Sequence, residues 1–321
     1  MDMHLLSPAF LIAAACAGLM GFAIQRGATC TVAAVDEILD KGSARRLVAM
    51  VEASAWVAAG LLVAQGLGVL GMMPVGYPLH DWTIVGAMLL GLGAWLNRAC
   101  AFGSIARLGN GEWAYLATPI GYFAGCLAFT LLGVQSAPTP LTEGSPILRA
   151  PAWVALPVIA AMAWRLVRHA RGSWTPHAAT TVIGITFFVT LLLVGAWSYT
   201  DALAELSRGM AGSVVMRGLL FLALLAGAIL GGSIAGRRGS TRIALPALLR
   251  CFAGGAVMAS GALLVPGGND GLILLGMPLL WPYAWVAFLT MCLTIVLPRL
   301  AQSGLRWCAA PRRSRPPRAG A

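Results

Sequence analysis

The chain has 321 residues, of which 59% are hydrophobic and 10% charged, with 22 Lys and Arg against 11 Asp and Glu. A mean hydropathy of +0.82 excludes an ordinary soluble domain. The net charge of +11 sits in short loops and the tail, so it reports membrane orientation and not nucleic-acid binding.

In chain order, windows of membrane length predict nine spans: about 8–35, 47–70, 83–105, 114–134, 152–168, 178–200, 214–236, 250–266 and 282–300. The first apolar run, Leu5 to Ile24, has no positive region before it, and Gln25-Arg26 stands where a cleavage site would need small residues, so the run reads as retained. It continues G-F-A-I-Q-R-G-A-T-C. If helical throughout, Arg26 and Cys30 share a face with Gln25 and Thr29 beside them. In the second span Glu52 has two readings, a neutraliser of Arg26, Arg45 or Arg46, or a loop-facing surface glutamate.

The third span is interrupted by Asn97, Arg98, Cys100, Gly103, Ser104 and Arg107. An arginine at the bilayer centre costs about 2.5–3.5 kcal/mol, so Arg98 needs a partner, a wet cavity or a ligand, unless it snorkels from a helix end. Both polar interruptions carry a carboxamide, an arginine and a thiol within a few residues. Guanidinium groups suit oxyanions and thiols are weak, polarizable donors, so the set suits a soft sulfur-bearing anion. Cys16, Cys126, Cys251, Cys292 and Cys308 read instead as small buried hydrophobes.

Sliding the chain by 168 residues sets Gly86 on Gly254, Gly93-Ala94 on Gly261-Ala262, Gly103 on Gly271, Trp113 on Trp281 and Tyr115 on Tyr283. With the amino terminus outside, the outer side holds only Arg149, Arg208 and Arg217, while Arg26 and Arg98 fall within spans. Every other lysine and arginine then faces the cytoplasm. The two copies are separated by an odd number of crossings, which predicts an inverted repeat with a substrate site near the midplane. The expected architecture is an all-α polytopic membrane protein with about nine transmembrane helices and short broken or re-entrant helices. Residues 1–134 form one half, 135–177 a connector with one span, 178–300 the second half and 301–321 a basic cytoplasmic tail attracted to lipid headgroups.

The motifs G-F-A-I-Q-R-G-A-T-C, N-R-A-C-A-F-G-S-I-A-R-L-G-N-G-E-W-A-Y-L-A-T-P-I-G-Y-F-A-G and G-G-A-V-M-A-S-G-A-L-L-V-P-G-G-N resemble those of the YeeE/YedE family of sulfur-compound transporters, over most of residues 10–300. The resemblance implies an inner-membrane, non-enzymatic uptake protein for thiosulfate. It further implies an hourglass fold, thiols at the constriction, and a small cytoplasmic sulfur-carrier protein as partner. Cys30 and Cys100 fall on two of the thiol positions. The family's third motif usually ends Gly-Cys-Asn, whereas this chain has Gly267, Gly268 and Asn269, so one thiol is missing. The candidate pathway residues are Gln25, Arg26, Cys30, Asn97, Arg98, Cys100, Gly267, Gly268 and Asn269.

Three alternatives stand beside thiosulfate uptake: a related sulfur or selenium anion, a subunit serving a sulfur carrier, or a Cys30–Cys100 redox protein. No cofactor or metal is expected, since His4, His80, His169 and His177 lie near loops and no Cys-x-x-Cys is present. No intramembrane Asp or Glu relay is evident, which points to a facilitated pathway or to a gradient maintained by cytoplasmic consumption.

Overall fold

A computed structural model describes residues 7–71, 73–132, 139–150, 152–169, 174–208, 211–237 and 243–309. The basic tail beyond Ala309 and the side chain of Cys308 lie outside the described set. The order is α1 (Pro8–Gly27), α2 (Thr31–Lys41), α3 (Arg45–Gly66), α4 (Asp81–Asn97), α5 (Ala101–Gly109), a 3-10 turn (Trp113–Leu116) and α6 (Ala117–Leu131). After α7 (Ala152–His169) come α8 (Pro176–Val194), α9 (Tyr199–Ser207), α10 (Ala211–Ile234), α11 (Leu245–Leu264), α12 (Gly268–Gly271), a π turn (Leu272–Gly276) and α13 (Pro282–Ala309). The protein is an all-α, multi-pass bundle. Among the described residues eight helices are long and apolar enough to cross a membrane, and the apolar part of α7, Trp153–Val167, is shorter.

Elements begin at nearly constant separation: α1 and α8 at Pro8 and Pro176, α2 and α9 at Thr31 and Tyr199, each 168 residues apart. The local chemistry repeats as well. Ser7 Oγ accepts from Phe10 N at 3.2 Å and Thr175 Oγ1 accepts from Ala178 N at 3.2 Å, each with proline at the first helical position.

Four helices break. Ala28 and Arg98, both left-handed (φ 47° and 60°), end α1 and α4. Each ending is closed by the same pair of backbone bonds. Ala28 N reaches Gln25 O at 3.2 Å and Thr29 N reaches Ile24 O at 3.1 Å; Arg98 N reaches Trp95 O at 3.0 Å and Ala99 N reaches Ala94 O at 3.1 Å. In the second half Gly195 (φ 84°) ends α8, and Gly267 (φ 99°) precedes α12. Arg26 and Cys30 therefore do not share a helical face. Arg26 closes α1 whereas Cys30 caps α2, because the left-handed turn redirects the chain between them.

Packing follows from small residues, the usual means of bringing backbones together in lipid. Helices α4 and α11 cross antiparallel: a Cβ added to Gly86 would lie 2.8 Å from Gly261 O, and one added to Gly93 2.8 Å from Gly254 O. Helix α1 packs on α8 and α10, α3 on α8, α11 on α6 and α13 on α4. Replacing each helix by its counterpart turns α1·α10 into α8·α3 and α6·α11 into α13·α4, and both pairs occur.

Helix α7 leans on α3 and α8. There Glu52, buried on α3, takes Arg165 Nε and Nη2 at 2.5 Å each, with His177 Nδ1 2.6 Å away. Both expectations for Glu52 are corrected by this trio. It is not a surface group and does not pair with Arg26, Arg45 or Arg46, because α7 brings a guanidinium to it from more than 100 positions downstream.

Candidate functional site

The breaks set polar groups at helix ends in the middle of an apolar protein. Cys30, the N-cap of α2, and Cys100, the N-cap of α5, are both buried where α2 and α5 begin against each other. Cys100 Sγ accepts from Thr31 N at 3.2 Å. Gly103, one turn into α5, permits this approach, since a Cβ there would overlap Cys30 Sγ and stand 3.0 Å from Cys30 Cβ. From the other half, Asn269 of α12 meets the same place: Thr31 Oγ1 donates to Asn269 Oδ1 at 3.4 Å, while Asn269 Nδ2 is buried with no partner. A donor without an acceptor in the protein interior is expensive to keep.

Two cavities adjoin this point, one through Cys30 and Gly103, the other through Gly267 and Gly271 on either side of Asn269. One, about 230 Å³, is lined by Ala28, Cys30, Arg46, Arg98, Gly103 and Arg107. It adjoins a second space of about 460 Å³ that shares Val32, Asp36, Arg98 and Arg107 with it and adds Arg250 and Arg299. The other cavity, about 360 Å³, is lined by Tyr77, Tyr122, Asp201, Arg208, Gly267 and Gly271, among others. The two cavities are repeat mates. Ala28, Ala33, Asp36, Arg98, Gly103 and Arg107 in the first stand 168 residues before Ala196, Asp201, Ala204, Pro266, Gly271 and Leu275 in the second. Arg98 and Arg107 of the first are thus matched by Pro266 and Leu275 in the second, which carries Arg208 and Arg217 at other positions.

Most of those arginines hold carboxylates. Arg107 Nη1 pairs with Glu112 at 2.9 Å, Arg299 Nε with Asp36 at 2.6 Å, and Arg46 accompanies Glu37. Arg98, exposed at the end of α4, has no carboxylate partner among the described residues. Of the two sequence readings for Arg98, the helix-end position and the wet cavity both apply.

A family model described as sulphur transport matches residues 26–297. The chain belongs to the sulphur-transport family. A search of curated proteins gave no match. The matched residues contain all four breaks and both cavities, so the sulphur-transport assignment rests on the segment that builds the candidate site. The family is one of transport, not of catalysis.

Other candidates fall differently. Asn97 is buried and fully engaged: Nδ2 donates to Ala99 O at 2.8 Å and Ser104 Oγ at 2.9 Å, and Oδ1 accepts from Thr118 Oγ1 at 3.0 Å. It fastens the α4–α5 break. Gln25 turns from the thiols to Asn110, donating Nε2 to Oδ1 at 2.8 Å, and Arg26 is half-buried with Nε unpartnered. Gly268 is left-handed (φ 53°), and an added Cβ would find Thr200 Oγ1, Asp270 Oδ1 and Tyr122 Oη nearest, not a thiol. Cys126, Cys251 and Cys292 are buried as expected of small hydrophobes, whereas Cys16 is only half-buried.

Two groups escaped the sequence reading. Asp270, 2% exposed, stands directly after Asn269, and Asp201 lines the second cavity. Beside the sequence reading that no intramembrane Asp or Glu relay is evident stands Asp270, which a short helix between two spans carries into the interior. The signal lay in P-G-G-N-D-G, read only for its missing thiol.

Proposed function

We propose that this protein takes up a small sulfur-containing anion, thiosulfate by preference, across the bacterial inner membrane through the constriction at Cys30, Cys100, Thr31 and Asn269. The observation that carries the reading is this junction of two thiols with one unpartnered amide donor, with one cavity reaching Cys30 and the other reaching Gly267 and Gly271. Thiols and an N–H donor match an anion with one soft sulfur and several oxygens. Arg98 and its neighbouring arginines then gather or release the anion on the cytoplasmic side, where the distribution of basic residues puts the carboxyl terminus.

The halves, in this reading, are an inverted repeat about an axis in the membrane plane. Its support is the reciprocal glycine contacts of antiparallel α4 and α11 and the exchange of packing pairs. A cytoplasmic sulfur carrier would draw the anion away at the arginine-lined mouth. The test is uptake of labelled thiosulfate by vesicles containing the protein, with sulfite, sulfate and selenite as competitors. Saturable uptake competed least by sulfate is expected. Uptake equal to that of empty vesicles would sink the proposal.

A further inference from the structure

We infer that Asp270 is a proton site that couples anion passage to proton movement; this rests on reading the constriction as the anion path. Asp270 is almost wholly buried, one residue from the unpartnered Asn269 amide on the same short helix. Thr200 Oγ1 donates to its Oδ1, and Thr200 N approaches its Oδ2 at 3.4 Å. Among the described residues no ion pair reaches it.

The titratable groups facing it are Asp201 and Tyr199 on α9 and Tyr122 on α6, with Cys100 at the start of α5 lying beyond Tyr199. The neighbouring end of α11 and the π turn contribute apolar residues and glycines. The arginines on this side, Arg208 and Arg217, bear on Asp201, and Arg217 is itself paired with Glu205 at 2.5 Å.

An ionised carboxylate in that setting is a buried charge with hydrogen bonds but no counter-ion, and such a group relieves the penalty by binding a proton. It would also repel any anion held by Asn269 and the thiols, because like charges interact strongly where water is scarce. Protonation removes both penalties together. The anion and the proton are therefore mutually favourable ligands, and linkage makes each raise the other's affinity.

The hydroxyls of Ser198 and Thr200 lead from Asp270 toward the second cavity: Ser198 Oγ lies 3.2 Å from Thr200 Oγ1, which contacts Asp270, and Ala196 and Asp201, on either side of Ser198 in the chain, line that cavity. The proton enters there, resides on the Asp270 carboxyl while the anion is in the constriction, and leaves toward the arginine-lined side. No covalent bond other than O–H forms or breaks.

The experiment uses the full chain in proteoliposomes, labelled thiosulfate outside and a pH-sensitive dye inside. An acid-outside gradient should speed uptake about tenfold, the scale of a coupling free energy of 1–3 kcal/mol, and thiosulfate should acidify the lumen. Asp270→Asn, fixed in the uncharged form, should lose both gradient dependence and acidification. Thr200→Val removes a donor that favours the ionised acid, so its uptake should persist to higher external pH than that of wild type. Wild-type uptake with no gradient dependence and no acidification overturns the proton site while leaving anion transport intact. Coupling that survives in Asp270→Asn, or a Thr200→Val profile equal to wild type, also overturns it. No thiosulfate uptake by wild type under any gradient overturns the transport reading itself.

Discussion

The two broken-helix regions are built on one plan and finished with opposite chemistry. In the first half the breaks carry Cys30 and Cys100, and the adjoining cavity carries Arg98 and Arg107. At the corresponding places 168 residues later stand Ser198, Gly268, Pro266 and Leu275, and the charged groups are Asp201, Glu205, Arg208 and Arg217 around the cavity, with Asp270 buried beside it. The repeat fixes backbone geometry, and side chains at matching positions are free to diverge because they meet different solvent and partners.

The largest expected effect lies on the thiol side. Cys100→Ala and Cys100→Ser should each reduce labelled-thiosulfate uptake by about 100-fold at normal protein levels, the loss of roughly 2.7 kcal/mol. If Cys100 were only a small hydrophobe, alanine would be the better substitute, because serine buries a hydroxyl that needs a partner. Wild-type uptake by Cys100→Ala would remove this thiol from the path and leave the halves functionally alike.

A smaller effect separates the mates Gly103 and Gly271. Alanine at 103 must displace Cys30, whose Sγ occupies the space; alanine at 271 meets only Asp201 Oδ2 at 3.9 Å, an ordinary contact. Gly103→Ala should lower uptake about tenfold, roughly 1.4 kcal/mol. Gly271→Ala should transport like wild type and gain slight thermal stability from helix propensity. Equal losses in both variants would mean that the constriction is not held by the Cys30 contact.

Arg98 tests charge against backbone. It sits at φ 60°, where non-glycine residues other than Asn and Asp are strained. Arg98→Gly and Arg98→Asn relieve that strain and remove the charge, so both should melt no lower than wild type in detergent while raising the uptake KM about threefold to fivefold. The KM change should shrink at high salt. A KM equal to wild type at low salt would show that the arginines of this mouth do not attract the anion.

Much of this organisation was legible in the sequence because lipid imposes long apolar runs and leaves polar interruptions conspicuous. The glycines that register the repeat are the ones α4 and α11 use to touch. What stayed illegible depended on chain direction over a few residues. A left-handed Ala28 leaves no composition signal, so helical spacing puts Cys30 on the Arg26 face and Gln25 beside the thiols, not on Asn110. Glu52 carries no local sign of its partners, Arg165 and His177, because they are distant in sequence. Asp270 gives no periodic signal, since four residues of helix are too short for one.

Gly268 tests whether the second half ever took a thiol as its part of the site. A side chain there must adopt φ near 53°, which costs about 1 kcal/mol for an L-residue, and its Cβ comes 3.0 Å from Thr200 Oγ1. Gly268→Ala and Gly268→Cys should therefore lose stability to a similar small extent, roughly a few degrees in Tm. They differ only in the sulfur. If Asp270 and Asn269 supply the chemistry of this half, cysteine at 268 should bring no more thiosulfate uptake than alanine, since its neighbours are Thr200, Asp270 and Tyr122 and not the other thiols. Uptake by Gly268→Cys well above that of Gly268→Ala and of wild type would mean that this half accepts a relay thiol, and that the contrast with the first half is a single lost sulfur and not a different chemistry.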